Sequence, residues 1–309
     1  MNPATRCRLT SLGLGEPLRA SATFAPAWLL VEHPGPWGEK ALSGGRFPAG
    51  LAAALDRSSD QAGVRVNLIR RHGRSGGHGT HVFAANPAAG WVTGTVLDDP
   101  HEILGLDLAA LARGERPAAD GDEPGRRGWR EHDGPLFLVC AHGRHDPCCA
   151  ENGRPVARAL SARFPARTWE TTHLGGDRFA ANMVCFPHGL YFGRVPPEQA
   201  ADIATAYRDG EIRLGNYRGR CCWPGPVQAG EFWVREESGA TGVDDVRLTS
   251  AAVEGDLTTA TFATADGTWT ARVRERLDPK ARLLSCHKEE PSCPAAYELV
   301  DLAPLPPTT

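Results

Sequence analysis

The chain has 309 residues, 41% of them hydrophobic, and a formal net charge of -3. At roughly 150 residues per domain this length suggests two domains and a small third piece, and the apolar share is enough for real cores. The balanced charge makes no electrostatic case for nucleic acid, and no run approaches the ~18 apolar residues of a membrane helix, so neither nucleic-acid binding nor membrane insertion is expected.

The first predicted strand is A-W-L-L-V (27–31), followed by a helix over 49–56 and a strand V-R-V-N-L-I (64–69). H-V-F-A-A-N and W-V-T-G-T-V form a predicted hairpin, and D-L-A-A-L-A-R (107–113) a helix. The stretch 118–128 is rich in Pro, Gly and charge and reads as an exposed linker. P-L-F-L-V (135–139) is a nearly continuous apolar run, as expected of a strand buried on both faces. A cysteine-rich loop follows it. A helix is predicted over 154–164, with Val156, Ala159, Leu160 and Phe164 on one face and Pro155 in its first turn. T-W-E-T-T (168–172) reads as a strand. A-N-M-V-C-F and L-Y-F-G-R-V form a hairpin turning at Pro187, His188 and Gly189. A helix then starts at Pro197 and stops at Gly210.

The order strand, helix, strand, hairpin, helix is a thioredoxin-like layout. The first part of the chain repeats it. W-L-L-V-E-H (28–33) resembles L-F-L-V-C-A-H (136–142), and F-A-A-N occurs at 83–86 and 179–182. The expected fold class is therefore α/β, with two tandem thioredoxin-like units and a β-rich tail. The expected domains are 20–117, an N-terminal unit with Glu32 in the place of Cys140; 131–236, the unit with the cysteine site; and 240–309. Alternating polarity and the turn at Asp266-Gly267 mark the tail as β-structure.

The chemistry gathers in two loops after strand ends, C-A-H-G-R-H-D-P-C-C (140–149) and H-L-G-G-D (173–177), where sites collect in open α/β sheets. The start of the chain has no apolar h-region, so no secretion signal and a cytoplasmic location are expected. In a reducing compartment, the nine cysteines point to metal or a reactive thiol rather than to a disulfide framework. Thiolates select zinc, copper(I) or iron–sulfur clusters, and imidazole suits zinc and iron. Composition does not choose among these.

The blocks C-A-H-G-R-H-D-P-C-C-A-E-N-G-R-P-V (140–156), W-E-T-T-H-L-G-G-D-R-F-A-A-N (169–182) and P-H-G-L-Y-F-G-R-V (187–195) resemble the sucrase/ferredoxin-like family. So do W-L-L-V-E-H-P-G-P-W-G (28–38) and Y-R-G-R-C-C-W-P-G-P-V-Q (217–228). The resemblance implies a thioredoxin-like [2Fe–2S] ferredoxin whose cluster is held by C-x8-C and H-x3-H. By position that gives Cys140, Cys149 and His173, with Asp177 where the second histidine would stand. Ligation by an anionic oxygen is expected to lower the potential relative to a two-histidine cluster. Cys148, His142, His145 and His188 are substitutes for the fourth ligand, although Cys148 points away from its neighbour Cys149. The implied role is electron transfer with an unknown redox partner protein, either a reductase or an acceptor, rather than catalysis. The alternatives are a thiol-based redox protein using Cys148 and Cys149, and a structural zinc protein using Cys140, Cys149, His173 and Asp177.

Other residues carry blander expectations. His142 and His145 are solvated or donate hydrogen bonds around the site. Asp146 caps or turns its loop, and Gly175 and Gly176 permit a tight turn. Arg178 either offsets negative charge or is solvated. The pairs Cys221/Cys222 and Cys286/Cys293 read as idle thiols, and Cys7 and Cys185 have no visible partners. The His- and Gly-rich stretch 72–81 reads as a mobile loop, or as a contact for a redox partner.

Overall fold

The computed structural model describes residues 6–44, 46–73, 78–119 and 128–305. Most of the expected linker at 118–128 and the middle of the loop at 72–81 lie outside the described residues. The chain opens with a short helix, α1 (Cys7–Gly13). The N-terminal half follows: β1 (Trp28–Glu32), α2 (Ala49–Ala62), β2 (Arg65–Arg70), β3 (Thr80–Asn86), β4 (Trp91–Leu97) and α3 (Leu108–Ala112). After a short edge strand β5 (Arg130–Glu131) come β6 (Leu136–Cys140), α4 (Pro147–Arg163), β7 (Thr168–Thr171), β8 (Met183–Phe186), β9 (Leu190–Phe192), α5 (Ala200–Arg208), β10 (Tyr217–Arg220) and α6 (Gly225–Ser238). The tail is four antiparallel strands, β11 (Arg247–Glu254), β12 (Leu257–Thr264), β13 (Gly267–Leu277) and β14 (Ala295–Leu305).

Both halves have the expected thioredoxin-like order. In the first, β1 is parallel to β2 and antiparallel to β3, which pairs with β4. In the second, β6 is parallel to β7 and antiparallel to β8, which pairs with β9. Glu32 and Cys140 end the equivalent strands. The two F-A-A-N stretches are not equivalent. The first lies inside β3, whereas the second precedes β8, so this repeat is a coincidence of an Ala-rich sequence.

The halves join edge to edge. β2 and β7 run antiparallel, with Ile69 opposite Thr171 and Arg70 opposite Glu170, which makes one ten-stranded sheet. Side chains alternate across it, as the strand period demands. Phe137 and Val139 of β6 face outward to Val156 and Leu160 of α4 and Ile203 of α5. Leu29 and Val31 of β1 likewise meet Leu51 and Leu55 of α2. The opposite faces of both halves form one shared interior containing Trp28, Leu30, Phe83, Leu136, Leu138 and Trp169. The sheet must curl to achieve this. β1 and β8 are four strand steps apart, about 19 Å in a flat sheet, yet the rings of Trp28 and Phe186 lie 5.3 Å apart, edge to face.

The helix expected at 154–164 begins seven residues earlier, at Pro147. Asp146 accepts a hydrogen bond from the Cys148 N–H, and Pro147 fills the first helical position, where a missing N–H costs nothing. Cys148 and Cys149 are therefore in a helix rather than a loop, and Pro155 lies well inside the helix instead of in its first turn.

Helix α6 packs Val227, Ala229 and Val234 against Phe262, Ala271 and Val273 of the tail sheet. On its other side Glu231 accepts from the Tyr217 hydroxyl at 2.8 Å and from Arg220 at 3.0 Å, and within the helix from Arg235 at 3.1 Å. All four residues are buried. Glu231→Ala would leave two buried guanidinium groups without their shared anion. Urea denaturation should show a loss of about 3–5 kcal/mol, and a loss below about 1 kcal/mol, the range of an exposed pair, would show that the network is solvated.

Candidate metal centre

Parallel pairing of β6 with β7 sets Cys140 opposite Thr171, so the segments leaving both strands emerge at the same sheet end. Cys140 is the last residue of β6, Cys149 lies in the first turn of α4, and His173 and Asp177 follow β7. His188 lies at the other end of β6, because Phe186 pairs with Leu136, and it hydrogen-bonds the Tyr207 hydroxyl at 2.7 Å.

Helix α4 can approach β6 this closely only because residue 153 is glycine. A Cβ there would stand 1.8 Å from the Cys140 carbonyl oxygen. Gly175 and Gly176 both take positive φ, +97° and +76°, and turn the chain between His173 and Asp177.

The ligand atoms of Cys140, Cys149 and His173 lie within 4.8 Å of one another, and so do those of His145, His173 and Asp177. The Cys149 thiol donates to Asp177 Oδ1 at 3.2 Å. His173 Nδ1 sits 2.9 Å from the same oxygen, yet it has no aligned hydrogen-bond partner among the described residues and is buried. The ring of His145 stacks on His173 at 3.8 Å, with its Nε2 3.8 Å from Asp177 Oδ2. His142 is committed elsewhere. Its Nε2 meets the Gly38 carbonyl at 2.6 Å, and its Nδ1 accepts from the His173 N–H at 3.2 Å. Cys148 points away from this group, toward Cys7 and Cys286.

A hydrogen bond from Cys149 and the nearby His173 ring pull Cys140 well below the usual thiol range, against the cost of burial. The same bond, with burial and the Asp177 charge, pushes Cys149 well above it. Burial works against a charged His173 ring, but Asp177 and Cys140 outweigh it and raise the ring to about 9. Asp177 is held below its ordinary value, because His173 and the Cys149 hydrogen bond overcome burial.

Residues outside the motif hold the loop in place. From the N-terminal half, Arg65 donates to the His173 carbonyl at 2.6 Å, and Asn67 donates to the Thr172 carbonyl at 3.1 Å. From β10, the fully buried Arg218 donates to the Gly175 carbonyl and to Asn182, which itself donates to the Gly176 carbonyl. Burial lowers Arg218 to about 10. Sequence reasoning assigned none of these roles, although Arg218 lies in the Y-R-G-R block. Arg178 is neither solvated nor aimed at the thiols: it pairs with Glu16 at 2.8 Å. His72 and His81, from the expected loop, pair with Glu170 and Glu32.

The thiols are sealed in, with 1% exposure each, while the side chains of His145 and His173 keep 35% and 27%. Their outer edges border an open groove of about 370 Å³, also lined by Glu39, Lys40, Asp60 and Arg65. Of the remaining cysteines, Cys185 and Cys221 are buried in apolar surroundings, and burial pushes both thiols up.

Fold and site together define an α/β protein of doubled thioredoxin-like architecture, with thiol, imidazole and carboxylate donors gathered at one sheet end. The chain belongs to the sucrase/ferredoxin-like family, whose model matches residues 18–219. It is 33% identical over 95 residues to altered inheritance of mitochondria protein 32 of Meyerozyma guilliermondii, covering 27% of this chain and 34% of that protein. It is 27% identical over 104 residues to the protein of the same name from Candida glabrata, covering 29% and 33%. The chain thus spans about a third of the length of these curated relatives. A thioredoxin-like [2Fe-2S] ferredoxin from Aquifex aeolicus is similar at 20% identity and a TM-score of 0.27, over 30% of this chain and 98% of that one. A cysteine-to-serine variant of that ferredoxin gives 20% identity and a TM-score of 0.24, over 27% and 96%. Among the described residues no helix is long and apolar enough to cross a membrane.

Gly153→Ala should push α4 off β6 and separate Cys149 from Cys140. We expect a loss of about 1–3 kcal/mol in urea denaturation, together with loss of bound metal by elemental analysis. Full metal content with unchanged stability would show that the helix–strand contact has slack.

Proposed function

We propose that the chain is an electron carrier whose [2Fe–2S] cluster is held by Cys140 and Cys149 on one iron and by His173 and Asp177 on the other. The observation that carries this reading is the donor set itself. Two buried thiols face a buried imidazole nitrogen, and a carboxylate lies beside Cys149 and that imidazole. Soft thiolates and imidazole are a donor set for iron–sulfur centres. The bound cluster would supply one-electron oxidation and reduction.

The chain's own residues do the rest. Cys140 and Cys149 exclude water by their burial. The exposed edges of His173 and His145 give the centre its outlet to the groove, where a reductase or acceptor protein would dock. His142 fixes the His173 backbone, Arg65 and Asn67 hold it from the other half, and Arg218 places a buried positive charge behind the loop. No substrate is transformed in this role.

The close approach of the Cys140, Cys149 and His173 donors also favours a second reading, a single tetrahedral zinc at the same residues. A thiol oxidoreductase fits less well, because a substrate disulfide cannot reach Cys148 or Cys149 at 1% exposure.

Anaerobic purification followed by a visible spectrum, iron and acid-labile sulfide assays, and EPR after dithionite separates the readings. We expect a red-brown protein with two irons and two sulfides per chain. A colourless protein after cluster reconstitution would refute the carrier. Asp177→His replaces an anionic ligand by a neutral one, so the reduced state should cost less and the potential should rise. EPR-monitored redox titration would show this, and an unchanged potential would place the fourth ligand elsewhere.

A further inference from the structure

Three thiols that the iron site does not use meet on the other side of the α4 start. Cys7 comes from α1, Cys148 from the first turn of α4, and Cys286 from the segment before β14. Their sulfurs form a triangle: Cys7 to Cys148 is 3.8 Å, Cys148 to Cys286 is 3.4 Å, and Cys286 to Cys7 is 3.4 Å. Asp146, fully buried, closes the group, with Oδ2 3.9 Å from the Cys7 sulfur. From the sequence Cys286 reads as an idle thiol, Cys7 as partnerless and Cys148 as a substitute iron ligand or a reactive thiol, and nothing in their spacing along the chain joins positions 7, 148 and 286.

We infer that Cys7, Cys148, Cys286 and Asp146 form a second metal site, a closed structural site for one zinc ion. Thiolate donors suit zinc, and the spacing fits one tetrahedrally held ion. Four thiolates at the Zn–S distance of ~2.3 Å in a tetrahedron stand about 3.8 Å apart, and the three observed edges are 3.4 to 3.8 Å. An ion at ~2.3 Å from each sulfur would rest about 1 Å out of their plane, with the fourth position free for a carboxylate oxygen.

The surroundings suit thiolates. The Cys7 N–H donates to Cys286 Sγ at 3.4 Å, and the Arg6 guanidinium lies beside Cys286. Asp146 is oriented for its part. Oδ1 caps α4 through the Cys148 N–H, and Oδ2 accepts from the Cys286 N–H at 2.6 Å and from Ser285 Oγ at 2.9 Å. Such outer hydrogen bonds orient ligands and tune a metal site. Zinc binding would release the thiol protons to solvent and involve no redox change. The ion would clamp the N-terminal helix and the 285–287 segment onto the start of α4, one residue from Cys149. The inference does not rest on the iron reading.

The test uses the full chain, expressed with zinc and iron supplied and purified anaerobically. Elemental analysis should find one zinc per chain that survives in the Cys140→Ser/Cys149→Ser double variant, in which the first site is destroyed. Cys7→Ser and Cys286→Ser should each weaken zinc retention against a chromophoric chelator by tenfold or more while leaving the iron and sulfide content unchanged. Zinc K-edge absorption of the double variant needs no substitution at the proposed site, and should give three sulfur neighbours and one oxygen. The inference is overturned if the double variant holds no zinc, if its zinc has fewer than three sulfur neighbours, or if mass spectrometry finds Cys148 and Cys286 joined as a disulfide. Absence of iron from the wild type alongside retained zinc would refute the carrier and leave this site standing.

Discussion

The pairing of β2 with β7 is the contact on which the rest depends. It is short, with Ile69 and Arg70 against Thr171 and Glu170, but it makes two small sheets into one. Only a joined sheet can curl far enough to bring Trp28 against Phe186 and bury one face of both halves in a single interior. The same edge brings Arg65 and Asn67 within reach of the loop that carries His173. The N-terminal half, which ends its equivalent strand in Glu32, therefore contributes to the candidate metal centre through hydrogen bonds to backbone rather than through ligands.

Charge organises the next level. Buried arginines are costly unless fully paired, and here each has a defined task. Arg218 spans β10 and the site loop. Glu16, just after α1, receives both Arg178 from the site loop and Arg282 from the segment before β14. Burial alone would raise the Glu16 carboxyl, but the Arg282 hydrogen bond and the Arg178 charge hold it below its ordinary value. Its contribution to stability is therefore complete above the unfolded-state value and drains away as pH falls through the lower folded-state one. The three stretches of chain that meet at Glu16 are neighbours of those that meet at the Cys7, Cys148 and Cys286 triangle.

Much of this was legible because it is local. Apolar runs and turn residues marked the strands of both halves, and strand ends marked the two loops, 140–149 and 173–177, that the fold brings to one sheet end. The start of α4 was missed because Asp146-Pro147 reads equally as a turn and as a cap, and only the hydrogen bond to the Cys148 N–H decides between them. Gly153 stood in plain sight, but its reason is a tertiary one, the Cys140 carbonyl beneath it. Helix α6 and strand β10 were not read as elements; the contact between them runs through Glu231 and its arginines, a polar network that hydrophobic periodicity does not register. The Cys7, Cys148 and Cys286 triangle has no local signal at all, since each thiol sits in a different part of the chain.

The support of His173 by Arg65 has a consequence for the order of assembly. During synthesis the N-terminal half leaves the ribosome first and domains generally fold as they emerge. Arg65 and Asn67 are made before the His173 loop, so an earlier half that folds first would act as a mould for the later one. A ligand that binds only the docked pair adds its binding free energy to the docking itself. A metal held as proposed would then be the last part to arrive and would lock the two halves together.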